Sequence, residues 1–325
     1  MQFLAQILLL ILFFSGTTTV VADSIISNKT GLLIMAHGGD AEWNDAVKKA
    51  VYPLRFFCPV EIAFGMAQRD SLQQAIYNLE SRGVNQIAVV RLFVATESFR
   101  HQTEYLLGLR SDPPNMFINH SAHSEVPLTH PNSIHMLSSE MAPDPVQIKS
   151  AIAINQDGLY DSKMIGEIIA ARVQNLSLYP EKESVLILAH GEGNDTINQK
   201  WIFKLNLLAD SVRQLGPFRT VQVATLREDW HSKRIRAEKK IRQFVQKGNE
   251  SQGQVIVIPF RLFGFGPYRS VLKNLEYISD GKALLPHLAV TEWIKEQAVT
   301  CLQNLGASDP FQAGDLSSRI DINND

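Results

Sequence analysis

Two phrases in this chain are nearly the same: Leu33-Ile34-Met35-Ala36-His37-Gly38 and Leu186-Ile187-Leu188-Ala189-His190-Gly191. Each is an apolar run of strand length that stops at a histidine followed by glycine. A parallel strand buried on both faces reads as such a run, and ligands in open α/β sheets bind beyond the carboxyl ends of the strands. The phrase therefore sets an imidazole at the rim of a sheet, with a glycine that allows close approach to the backbone. Its recurrence about 150 residues later implies two units of one kind.

The surrounding pattern agrees. In the first half, strand Leu32–Ala36 leads to a helical stretch at Ala46–Phe56, a strand at Val60–Ala63, an amphipathic helix at Ser71–Ser81 and a buried strand at Ile87–Val90. Ser71 is the expected cap of that helix and Gly83 its stop. The second half repeats the order with strands at Val185–Ala189, Val221–Leu226 and Val255–Pro259 and helices at Lys200–Leu215 and Trp230–Lys247. Arg91-Leu92-Phe93 and Arg261-Leu262-Phe263 read as a further matched pair. Strands alternating with helices predict an α/β chain of two similar domains, each a parallel sheet flanked by helices, with a cleft between them. The expected boundaries are 1–22 for a leader, 23–150 for the first domain, 151–304 for the second and 305–325 for a polar tail. A His-rich insertion falls at about 112–157, and Met164–Leu176 reads as the helix that opens the second half.

The leader is read from Leu8–Phe14, a dense apolar block, and from the small-residue end Val20-Val21-Ala22. A signal peptide ending at Ala22 is expected, with a periplasmic or secreted destination; anchoring through the N-terminus is the alternative, although Phe3–Phe14 is short for a span. The formal charge of −2 carries no electrostatic footprint for nucleic acid. The two cysteines, Cys58 and Cys301, fall in different halves and are expected as buried thiols. No GxGxxG opens a helix after the first strand and no P-loop is present, so no nucleotide cofactor is expected.

Chemistry concentrates at the strand ends. His37 is the first candidate as metal ligand and proton acceptor, with His190 second. The segment after the third strand supplies Glu97 and His101; with His37 they are reasonable ligands for cobalt, nickel, iron or zinc. His120, His123, His130 and His135 form a weaker His-rich tract. In the second half, Gly264, Gly266 and Tyr268 offer a glycine-rich, aromatic approach to a flat ligand, and His287 is a secondary candidate.

Taken together, these blocks resemble the class II tetrapyrrole chelatases, the sirohydrochlorin cobaltochelatase and ferrochelatase family, in a duplicated form. The carrying residues are His37-Gly38 with Asn44, His190-Gly191 with Asn198, Val60-Glu61-Ile62-Ala63-Phe64, and Ser71-Leu72-Gln73-Gln74-Ala75-Ile76. Two departures stand out: Arg91 occupies the place of the family's strand proline, and Glu97 or His101 lies where the family carries a second metal-binding histidine. The resemblance implies insertion of a divalent metal, Co²⁺, Fe²⁺ or Ni²⁺, into a tetrapyrrole such as sirohydrochlorin, with His37 and Glu97 in the catalytic roles. It also implies that Arg91, Arg100 or Arg261 anchors the macrocycle's carboxylates. An exported, non-catalytic protein of the same fold that binds metal or tetrapyrrole is the alternative.

Overall fold

The computed structural model describes residues 29–114 and 142–311. The His-rich tract and the expected leader lie outside these residues. Two parallel sheets form the frame. The first, in the order β2-β1-β3-β4, consists of β1 (Thr30–Ala36), β2 (Val60–Phe64), β3 (Gln86–Leu92) and β4 (Ala151–Ile154). The second, β6-β5-β7, consists of β5 (Glu183–Ala189), β6 (Thr220–Thr225) and β7 (Gln254–Phe260). Its fourth position shrinks to a single parallel bridge, Ile256 to Ile278. The central strands β1, β3, β5 and β7 are buried nearly throughout, which is why each reads as a continuous apolar run.

In the first half, α1 (Ala41–Val51), α2 (Arg69–Ser81) and the short α3 (Arg100–Leu106) follow the first three strands. Helix α1 starts at Asp40, whose carboxylate accepts from the Trp43 N–H at 2.8 Å. Helix α2 begins earlier than the sequence suggested: its flanking residue is Gln68, without a side-chain cap, and Ser71 sits inside the first turn. Gly83, at φ +79°, terminates it as expected.

Between and after the sheets run α4 (Lys163–Leu176), α5 (Asp195–Arg213), α6 (His231–Gly248), the single turn α7 (Tyr268–Val271) and α8 (Leu288–Asn304). Two of these helices are exchanged. Helix α4 follows the first sheet yet packs on α5 and β7 of the second half, whereas α8 follows the second sheet and packs on β3, β4 and α1 of the first. One apolar cluster consequently runs through both halves, from Leu32, Ile34 and Val90 to Ile187, Ile256, Trp293 and Ile294. The outer face of each sheet has its own smaller cluster, under α2 and α3 in the first half and under α6 in the second.

Three sequence expectations need correction. The boundary at residue 150 falls too early, because Ala151–Ile154 pairs with β3 as the fourth strand of the first sheet. The chain does not become a polar tail at residue 305: Phe311 is buried and its ring lies 5.5 Å from that of Phe57. The Arg-Leu-Phe pair is out of register. Met35 faces Arg91, and Leu188 faces Pro259, so the structural counterpart of Arg91 is Pro259 and not Arg261. The second half keeps the strand proline that the first half has exchanged for arginine. Cys58 and Cys301 are both buried free thiols.

Candidate active site

Both histidines stand one residue beyond the last residue of their strands, β1 and β5. Gly38 and Gly191 each turn the chain at φ +81°, a conformation that disfavours any side chain. Asn44 on α1 then holds the first turn, accepting from Gly39 N–H at 3.0 Å and donating to its carbonyl at 3.2 Å. Asn198 on α5 holds the second turn by accepting from Glu192 N–H at 3.0 Å. The repeated phrase is thus a repeated device for presenting an imidazole at the rim.

The two imidazoles differ in what they leave free. His37 is exposed, and its Nδ1 lies 2.6 Å from the Gly38 carbonyl. A carbonyl only accepts, so Nδ1 carries the proton and Nε2 holds the lone pair, the tautomer a metal requires. Trp43 and Phe64 stand behind this ring in tilted and edge-on contacts. His190 has the matching bond to Gly191 at 2.8 Å, but its Nε2 faces Asp229 at 3.2 Å, with Glu228 at 4.0 Å. With acceptors on both nitrogens it is set up as an imidazolium, walled by Trp201 and Trp230 at ring distances of 6.4 and 6.0 Å. Burial works against that charge; the Asp229 hydrogen bond, the Glu228 charge and the Gly191 carbonyl together outweigh it, so His190 titrates above an ordinary imidazole.

A pH dependence of stability follows from that direction. A raised folded-state pKa contributes stability that is fully present below the unfolded value of about 6.5 and is lost as pH rises through the folded value. Urea denaturation of wild type and His190→Gln should show the widest gap in stability at acid pH and a narrowing gap above neutrality. A gap that is flat or widens with pH would contradict the assignment.

After β3, the segment 94–99 carries Glu97 toward the second half. Tyr160 donates its hydroxyl to Glu97 at 2.5 Å, and Lys200 on α5 approaches the same carboxylate at 3.4 Å. Burial pushes Glu97 up, but the Tyr160 and Lys200 contacts prevail and hold it below the usual carboxylate range. Tyr160 is pushed well above an ordinary phenol, by burial first and then by Glu97. Its ring meets Trp201 edge-on at 5.7 Å. Asp161 adds a bond from Thr96 and an ion pair with Lys204 at 2.8 Å. The carboxyl rims of the two sheets are therefore joined from Glu97 through Tyr160 and Trp201 to His190.

Several expected site residues prove to have other work. His37, Glu97 and His101 do not form a ligand trio: among the described residues no three His, Cys, Asp or Glu side chains are placed to hold a metal. Glu97 is turned to Tyr160 and Lys200, and His101 is exposed on α3. Arg91, expected to anchor a ligand, is 1% exposed. Its guanidinium donates to the carbonyls of Thr96, Ser98 and Asn155 at 3.0, 2.9 and 3.1 Å, fixing the segment on either side of Glu97. Burial lowers its pKa to about 10. Tyr268 is completely buried and makes no rim surface. Arg261 lies over its ring at 5.4 Å and bonds Glu228 at 2.6 Å, still partly exposed at the rim. Gly266 exists for that packing, since a Cβ there would meet the Arg261 guanidinium at 2.5 Å, whereas Gly264 faces open space. His287 caps α8, its Nδ1 accepting from Ala289 N–H at 3.1 Å; burial and then Arg172 hold its pKa down.

Tyr160, Lys200, Trp201, Asp229 and Trp230 were not foreseen. Asp229 carried a usable signal, because Glu228-Asp229 follows β6 as the histidines follow β1 and β5. Tyr160 and Lys200 reach Glu97 from 63 and 103 residues away, a pairing that no local pattern encodes.

Known proteins share this fold. Residues 31–107 match the family model CbiX. The sirohydrochlorin cobaltochelatase of Saccharolobus islandicus strain L.S.2.15 is 38% identical over 85 residues, 25% of this chain and 66% of that protein. The enzyme of the same name from Saccharolobus solfataricus strain P2 is 36% identical over the same length. The chain thus spans slightly less than two thirds of the length of these relatives. Among solved structures, SirB from Bacillus subtilis with Fe³⁺ aligns with a TM-score of 0.56 at 14% identity, over 86% of this chain and 99% of that one. The chelatase SirB from Bacillus subtilis subspecies spizizenii, in complex with cobalt, gives 0.51 at 13% identity, over 85% and 96%. Residues 31–107 thus match the CbiX family model, and the whole chain shares the fold of the chelatase SirB.

Proposed function

We propose that this protein inserts a divalent metal, cobalt or iron, into a tetrapyrrole of the sirohydrochlorin type at the joined rims of its two sheets. The observation that carries the reading is His37: an exposed strand-end imidazole whose proton is committed to Gly38, leaving Nε2 as a lone pair for an incoming ion. The family's relatives support the reaction class, and the metal and macrocycle named here are inferences from them. The macrocycle's nitrogens must lose two protons as metal enters. Glu97, held as carboxylate by Tyr160 and Lys200, is the rim group suited to accept one. His190, carrying its proton toward Asp229, suits charge balance and orientation and does not suit metal ligation.

The second reading is a non-catalytic carrier of metal or tetrapyrrole. One observation favours it: the described residues assemble no three-ligand cluster around His37. Incubation with sirohydrochlorin and Co²⁺, followed by the visible spectrum, separates the two. A metal-dependent change faster than the protein-free control supports insertion, a static shift on mixing supports the carrier, and no change of either kind would remove both.

The histidines give a sharper test. His37→Ala should weaken Co²⁺ binding at least about tenfold, whereas His190→Ala should leave it within about twofold, because of these two strand-end imidazoles His37 is the one with a free ring nitrogen. Calorimetric titration measures this, with circular dichroism to check folding. Equal binding by wild type and His37→Ala would sink the site.

A further inference from the structure

The amino edge of the first sheet, opposite His37, carries an exposed feature that the proposed chemistry does not use. Helix α1 runs from the His37 rim along the sheet for 11 residues, about 16 Å, and ends in a 3₁₀ turn at Tyr52–Phe56. Pro53 and Leu54 of that turn are buried and fix it to the core. Tyr52 and Phe56 project outward, 57% and 55% exposed, with their rings edge to face at 5.4 Å. Lys48, Lys49 and Arg55 are their neighbours in sequence, and residues 46–60 contain no carboxylate. Lys48 pairs with Asp45 at 2.9 Å; among the described residues neither Lys49 nor Arg55 makes an ion pair.

The chain also enters the fold at this edge. Lys29, the residue before β1, is tied by its N–H to Asn85 and by its ammonium to the Arg82 carbonyl, both just ahead of β3. In the alternative of N-terminal anchoring, the apolar run Phe3–Phe14 in the preceding 28 residues would bring a bilayer to this edge. An exposed aromatic pair with basic neighbours in sequence, at the edge where the chain enters the fold, matches what a bilayer interface selects. Aromatic rings settle at headgroup depth, and each basic side chain gains from anionic lipid phosphates.

We propose that the amino edge of the first sheet, centred on Tyr52 and Phe56 with Lys49 and Arg55, is a docking face for an anionic lipid bilayer. Docked there, the protein turns the His37 rim toward the aqueous phase, where a soluble macrocycle and metal ion reach it. The proposal does not depend on the reaction assigned to that rim.

The test places a nitroxide spin label on the full chain at Phe56→Cys, and separately at Phe203→Cys, a 62% exposed position on α5. The native thiols do not compete, because burial pushes both Cys58 and Cys301 up to about 12. With phosphatidylglycerol-containing vesicles, the ratio of collisions with lipid-soluble oxygen to those with a water-soluble nickel complex should rise about threefold or more at position 56 and stay flat at 203. Adding Lys49→Glu and Arg55→Glu should abolish the rise, and phosphatidylcholine vesicles should not produce it. Equal ratios at 56 and 203 would overturn the proposal. So would an equal rise on both lipids, or protection of position 56 from both reagents, which signifies a protein partner.

Discussion

Replacing Arg91 with methionine should destabilise the protein by about 3–5 kcal/mol, although among the described residues no carboxylate forms a salt bridge with it. The guanidinium is the shared donor for the carbonyls of Thr96, Ser98 and Asn155, and it is nearly inaccessible to solvent. Without it, one buried and two part-buried acceptors lose a charged partner at once, at about 1–3 kcal/mol each before relaxation. Arg91→Lys should recover only part of the loss, since a single ammonium does not reproduce the planar fork. Urea denaturation reads the difference. A methionine variant within about 1 kcal/mol of wild type would mean that the segment around Glu97 is held by other contacts.

Trp293→Ala should cost a similar amount, about 3–5 kcal/mol, with the damage appearing at the opposite end of the sequence. Trp293 is 1% exposed and lies on α8, which packs against β3, β4 and α1. Hydrogen exchange should therefore lose protection first in Leu32–Ala36 and Ala88–Leu92, more than 200 residues upstream. Losses confined to β5 and β7 would contradict the exchanged placement of α8.

What could be read from the sequence was whatever is written locally. The strand ends at His37 and His190 were legible because a strand buried on both faces must be apolar and must stop where the rim begins. The asparagines Asn44 and Asn198 were legible as parts of the family resemblance, and their bonds to Gly39 and Glu192 supply the physical reason for their spacing. Arg91 was recognised as standing in a proline's place, but its burial was not. The apparent match with Arg261 suggested a shared role, and only strand register reveals the two-residue offset. The division at residue 150 failed because β4 is four residues long and its partner lies more than 60 residues away. Tyr160, Lys200 and Trp201 depend on how the two halves meet, which is a property of packing.

The exchange of α4 and α8 also sets the order in which the protein can come into being. The first sheet is completed on one face by a helix whose Thr291 bonds Ala50 across 241 residues and whose Cys301 lies against Val89 across 212. At a synthesis rate of roughly 5–20 residues per second, those β-strands wait on the order of 10–40 s for their cover. During that interval Leu32, Ile34, Val90 and Leu92 present an uncovered apolar face. The first half should gain its full stability only once α8 has been made. Truncation anywhere before residue 304 should accordingly yield an aggregation-prone product instead of an independent domain, and a holding chaperone has a natural target on the face that α8 will later occupy.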